Sequence, residues 1–404
     1  MKKFSTLLAA AALSACAAGP NLKTPDATLN ALVEEYFDQQ LELSPMSATA
    51  IGDSRFDDLL DESTSPGFRE KSLGIERAYL DRAKAIDAAQ LSAGARITLE
   101  IFVSEREQAL AGQPFHEEYM PFSQMSGLPM DLVVYGSGEG PQPFATVADY
   151  ERFLKRVREF PRWADGAIAL MRAGMSRGIT LPKPAVVKMI PQLREIVTPS
   201  AEASIFWGPV KALPTSIPAA DAARLRAAYA SAISTEVLPA YARLADFLER
   251  DYLPAARTTV GWSDLPDGSA WYRWRIRGAT TMDMPPEQIH QVGLDEVARI
   301  RAEMIAVKEQ VGFQGDLDAF FKHLEDDPQF YFNNEQDLLD AYRAVKRRID
   351  GLLPKLFSDF PKADYEIRPV EPFRAASAAG ASYQAPSADG KHRFTEKADP
   401  SLRA

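Results

Sequence analysis

Hydrolytic metal chemistry needs imidazoles at fixed spacing, and the chain holds four histidines: His116, His290, His323 and His392. A helical zinc site of the His-Glu-x-x-His type needs two His one turn apart, with a Glu between them to act on the metal-bound water. His116-Glu117-Glu118 is the one His-Glu pair, but position 120 is Met, so the second ligand is missing and the pair reads as a surface loop. His290 flanks the apolar Ile289 on a helical pattern, and no His or Cys is spaced to join it. His323, within Phe320-Phe-Lys-His-Leu-Glu325, reads as a surface helix residue. His392 falls in a stretch without period.

Acyl transfer through a nucleophile elbow needs Gly-x-Ser-x-Gly on a strand-to-helix turn. Tyr135-Gly-Ser-Gly-Glu-Gly140 lacks the leading Gly and the flanking apolar strand, so Ser137 reads as part of a flexible loop. No phosphate loop or dinucleotide fingerprint occurs. The carboxylates are many, but sequence does not pair them into an acid–base couple. Trp271-Tyr-Arg-Trp-Arg275 has the residue types to stack on a ligand; its alternation predicts a strand or hairpin with a structural role. No catalytic, cofactor-binding or metal-binding residue is assigned on these patterns.

One residue has a firm chemical fate. Met1-Lys2-Lys3 is a positive start, Phe4 to Leu13 is an apolar run too short to cross a bilayer, and Leu13-Ser14-Ala15-Cys16 follows. This resembles the lipobox of bacterial lipoproteins, which implies cleavage before Cys16 and acylation of its thiol. Residues 1–15 are then a signal peptide and 16–25 a lipidated tether. Several acyl chains on one residue suffice for stable anchoring. Ala17 in the second mature position, where Asp would favour inner-membrane retention, points to the periplasmic face of the outer membrane. Cys16 is also the only cysteine, which excludes a disulfide framework. A net charge of −10 without a long basic run argues against nucleic acid as a partner. The composition, 46% hydrophobic and 25% charged, is that of a globular protein.

The elements that would position any such residues read as mainly helical. Asp26 is a candidate N-cap for a helix whose stripe is Leu29, Leu32, Val33, Tyr36 and Phe37, ended by Ser44-Pro45. A polar loop spans 52–67, helices are expected over 68–89 and 92–111, and 112–143 reads as irregular. Thr146-Val-Ala-Asp149 predicts a capping box opening a helical pair that ends near Gly178. Further helices are expected over 182–205, kinked at Pro191, and over 221–250. The sharpest period lies in 285–311: Ile289, Val292, Val297, Ile300, Met304, Val307 and Val311, with Asp295, Arg299 and Glu303 as a charge ladder. A last helix is expected over 335–356, closing a helical domain of 26–360. Tyr365 to Val370 and Ala381 to Gln384 read as strands of an incomplete sheet over 361–390, and 391–404 as a divergent, unstructured tail.

Pro285-Pro-Glu-Gln-Ile-His-Gln-Val-Gly-Leu-Asp-Glu-Val-Ala-Arg-Ile-Arg-Ala-Glu-Met304 resembles the bacterial "domain of unknown function 885" family. Gly52-Asp53 with Arg55-Phe-Asp-Asp58, Ser123-Gln-Met-Ser-Gly127, Asp149-Tyr-Glu151, Met171 to Gly178, Phe330-Tyr-Phe332, Arg368-Pro369 and Tyr383 to Gly390 fit it in order. The resemblance covers nearly all of 26–390. It implies a mainly helical relative of zinc metallopeptidases, acting on peptide-like substrates through zinc held by a His-Glu-x-x-Pro-Gly-His-His helix. That helix would follow the equivalent of Gly390, where this chain reads Lys-His-Arg-Phe-Thr-Glu-Lys. No catalytic residue transfers, and the expectation is a family member lacking its metal-binding half, inactive as written, through a frameshift or early stop near 390. The alternative is a non-catalytic periplasmic binding or adaptor lipoprotein.

Overall fold

A computed structural model describes residues 24–360, 364–369, 381–384 and 394–398; Cys16, the signal peptide and His392 lie outside these. The fold is mainly α. Helix α1 (Pro25–Leu43) is capped by the Thr24 side chain, with Pro25 in its first turn. Asp26 is therefore inside the helix and not its cap, and its carboxylate accepts the Ser92 N–H at 3.0 Å. Pro45 ends α1 as expected but also opens a short helix, α2 (Pro45–Ala50). Helices α3 (Phe68–Lys84) and α4 (Ala93–Ala111) pack on α1 through Leu29, Leu32, Tyr79, Ala83, Leu99 and Phe102. At their centre the Arg106 guanidinium meets Glu76 at 2.7 Å, and Tyr36 donates to the same carboxylate.

The main core is built by α5 (Leu128–Gly136), α6 (Val147–Arg158), α7 (Phe160–Ser176), α8 (Lys183–Ile196), α9 (Gly208–Lys211), α10 (Ala219–Ala232), α11 (Leu238–Phe247) and α12 (Leu253–Ala255). Helix α5 lies in the segment that reads as irregular, because its nine residues are too few for a period to declare itself. The Thr146–Asp149 capping box is present with both of its bonds. Helix α8 carries Pro191 within it. From Ala219 to Ala255 the chain is one helical run with two π turns, Ile233–Val237 and Leu248–Tyr252. Each lies just before a proline, Pro239 or Pro254. The missing N–H and the clash of the ring with the carbonyl four residues back widen the turn.

Residues 271–275 are not a strand. They lie in α13 (Gly268–Thr280), where Trp271 is buried against Phe115 and Trp262. The alternation there is the chance overlap of a two-residue period with a helix buried on one side only. Helices α14 (Pro286–Gln310), α15 (Leu317–Asp326) and α16 (Glu335–Asp350) follow. Strands β1 (Tyr365–Pro369), β2 (Ala381–Gln384) and β3 (Phe394–Ala398) form a sheet in the order β1-β3-β2, with β3 parallel to β1 and antiparallel to β2. Both expected strands are present. The expectation of an unstructured tail from 391 fails over 394–398, which is the central strand. Its polar sequence hides it, since the backbone ladder on both sides, and not an apolar face, defines it. Ile367 on β1 packs under Leu339 of α16.

Candidate functional site

The residues that the sequence offers for chemistry are dispersed. His116 Nδ1 meets Glu118 at 2.7 Å, and its ring stacks on Tyr119 at 5.1 Å. His290 stands exposed on α14. His323 is half-buried between Phe313 and Phe330, with Asp327 at 3.8 Å from Nδ1. The Ser137 hydroxyl donates to the Val134 carbonyl at 2.8 Å and accepts the Glu139 N–H; both bonds belong to the end of α5. Among the described residues no three His, Cys, Asp or Glu side chains stand together as a metal site. The donors present do not fit the zinc that the resemblance implies, and no step through a metal is derived for them.

The densest polar constellation is one the sequence does not announce. Arg156, on α6, is fully buried. Its Nε donates to the Leu59 carbonyl at 2.6 Å and Nη1 to Gln142 Oε1 at 2.6 Å. Nη2 donates to the Phe56 carbonyl at 2.7 Å and the Thr49 hydroxyl at 2.8 Å. Thr49 in turn donates to Asp57 Oδ1 at 2.7 Å, so one hydroxyl links the guanidinium to a buried carboxylate. Asp57 Oδ2 has no partner among the described residues. Nearby, Asp61 accepts the Met46 N–H at 3.0 Å, and burial pushes its carboxyl above the usual carboxylate range. Desolvation lowers the Arg156 pKa, against the pull of Asp57. The cluster is closed to a substrate and lacks a nucleophile. It fixes the 52–61 loop onto α2 and α6.

The stretches that carry the family resemblance do similar work. Asp53 caps the turn at Ser54–Phe56 and pairs with Arg55, which reaches Asp38 at 2.8 Å. Gly127 turns at φ 124°, where a Cβ would stand 2.5 Å from Phe122 Cβ. Asp149 closes the capping box, and Tyr150 donates to the Pro209 carbonyl at 3.1 Å. These residues specify a fold. The 285–304 stretch differs: it lies on α14, none of whose residues is buried.

Helices packed around apolar cores, with a buried polar cluster at Arg156 and a small sheet near the C-terminus, define a helical class without an assembled catalytic centre among the described residues. Residues 45–395 match the family described as "Bacterial protein of unknown function (DUF885)", and the chain belongs to it. It is similar in fold to a crystal structure described as "the putative lipoprotein from Colwellia psychrerythraea", with a TM-score of 0.81 at 20% identity. That likeness covers 93% of this chain and 68% of the other. No curated protein matches.

Proposed function

We propose that the chain is the helical portion of a lipid-anchored, peptidase-like hydrolase, held through Cys16 on the periplasmic side of the outer membrane. In this reading its exposed α14 and α16 faces receive a zinc-binding portion that the described residues do not contain. One observation carries the reading. Helix α14 runs for 25 residues with none buried, yet Val292, Val297 and Val307, and Val311 just past its end, are each more than half exposed. A helix with an apolar stripe this long normally has that stripe covered by its neighbours. On α16 and just after it, Val345, Ile349, Leu356 and Phe357 are also exposed.

The larger Colwellia chain, part of which lies outside the match, is consistent with a bigger assembly and with lipid anchoring. Among the described residues no helix is long and apolar enough to cross a membrane. Alone, the described residues would not hydrolyse peptide or amide bonds. Reading every frame of the gene from codon 390 onward tests this. The expected result is a His-Glu-x-x-Pro-Gly-His-His stretch, and zinc-dependent peptide hydrolysis by a protein that joins the two. A locus without that stretch overturns the reading in favour of a non-catalytic adaptor lipoprotein.

A further inference from the structure

A groove of about 720 Å³ lies between α13 and the segment that leads into α14, a volume within the usual range for small-ligand sites. Ser269, Tyr272 and Arg273 line one side; their i, i+3, i+4 spacing puts them on one face of α13. Trp262 closes one end. It is held in place, with the Arg275 guanidinium 4.1 Å from its ring centre and Trp271 at 5.0 Å. Gly268 presses on the same turn so closely that a Cβ would stand 2.1 Å from the Trp262 carbonyl oxygen. Asp283 and Glu287 line the other side with Met284 and Pro285.

Two features mark this groove as built for a ligand. First, Arg273, Asp283 and Glu287 form no ion pair among the described residues, although most arginines of this chain are paired. Opposite charges face one groove without closing on each other. Second, α13 stops at Thr281, a β-branched residue held at φ 58°, and the opposing wall follows directly after it. Such a conformation costs on the order of 1–3 kcal/mol and is kept where the surroundings enforce it.

We propose that this groove binds a short peptide with free termini. Its carboxylate would meet Arg273, whose planar fork suits two carboxylate oxygens. Its ammonium group would lie between Asp283 and Glu287, and an apolar side chain against Trp262 and Tyr272. The ligand class overlaps the hydrolase reading, but the site rests on the groove alone. A failed search for the zinc-binding stretch leaves it standing, and a failure to bind peptide removes it without touching that reading.

Titration calorimetry of the full chain with Ala-Phe-Ala, its C-terminal amide and its N-acetyl form is the test. Amidation and Arg273→Gln should each weaken binding about tenfold, or roughly 1.4 kcal/mol, and Arg273→Gln should cost nothing further with the amide. Acetylation and the Asp283→Asn/Glu287→Gln pair should show the same mutual exclusion. The amide and acetyl comparisons on the unaltered protein need no variant to fold. No binding of the free peptide, equal binding of free and amidated forms, or additive losses would each overturn the proposal.

Discussion

Arg156 is a whole charge with no surface open to water, held by three main-chain carbonyls, an amide and a hydroxyl. Removing one partner of such a cluster leaves the other buried charge uncompensated, which costs about 3–5 kcal/mol. Arg156→Met should therefore lower the urea-unfolding free energy by that amount. Arg156→Lys should recover little, because one ammonium cannot serve acceptors spread around a planar fork. A loss under about 1 kcal/mol, ordinary for a point substitution, would mean that the cluster is not closed. Asp61 gives a separate pH signature. Its folded-state pKa is raised by burial, so its contribution is fully present below the unfolded carboxylate value and is lost as pH rises through the folded one. Asp61→Asn keeps the acceptor for Met46 N–H and removes the charge. The variant should gain on the wild type as pH rises from 4 to 7 in equilibrium unfolding. A constant difference across that range would refute the buried charge.

Elements divide into those whose apolar face is covered and one whose face is not. Helix α6 puts Tyr150, Phe153, Leu154 and Val157 into the core, so its period and its burial agree. Helix α14 has as clear a period and buries none of it. Val297→Asp with Val307→Asp should thus leave the unfolding free energy within about 0.5 kcal/mol, as for surface changes, while reducing hydrophobic-dye binding and self-association. A large stability loss would show that α14 is already packed in solution. The short elements tell the opposite story. Helix α5 escapes a sequence reading because nine residues give a period too few repeats, and strand β3 because its sequence is polar and offers no apolar face. Helix α13 has the alternation of a strand over 271–275, yet Trp271 is buried and Trp274, one turn on, packs beside it and donates to the Gln108 carbonyl, which is helical spacing.

For the whole molecule, the proposed membrane attachment rests on one thiol, that of Cys16. Cys16→Ala should move the protein from the detergent phase to the aqueous phase on detergent partitioning, with its fold intact, because Cys16 lies ahead of the described helices, the first of which begins at Pro25. Retention in the detergent phase would put the anchor elsewhere. The sequence by itself determined the features set within a turn or two of chain: the mainly helical class, the Thr146–Asp149 box, the stop at Ser44-Pro45 and the strands at 365 and 381. Caps, prolines and periods act between near neighbours, so they can be read there. The tertiary structure alone decided that Arg156 meets Thr49, 107 positions away, and that Arg273 faces Asp283 and Glu287 across a groove. It also decided that α14 lies open. A period shows that a helix has an apolar face; whether anything covers that face depends on where distant segments fold.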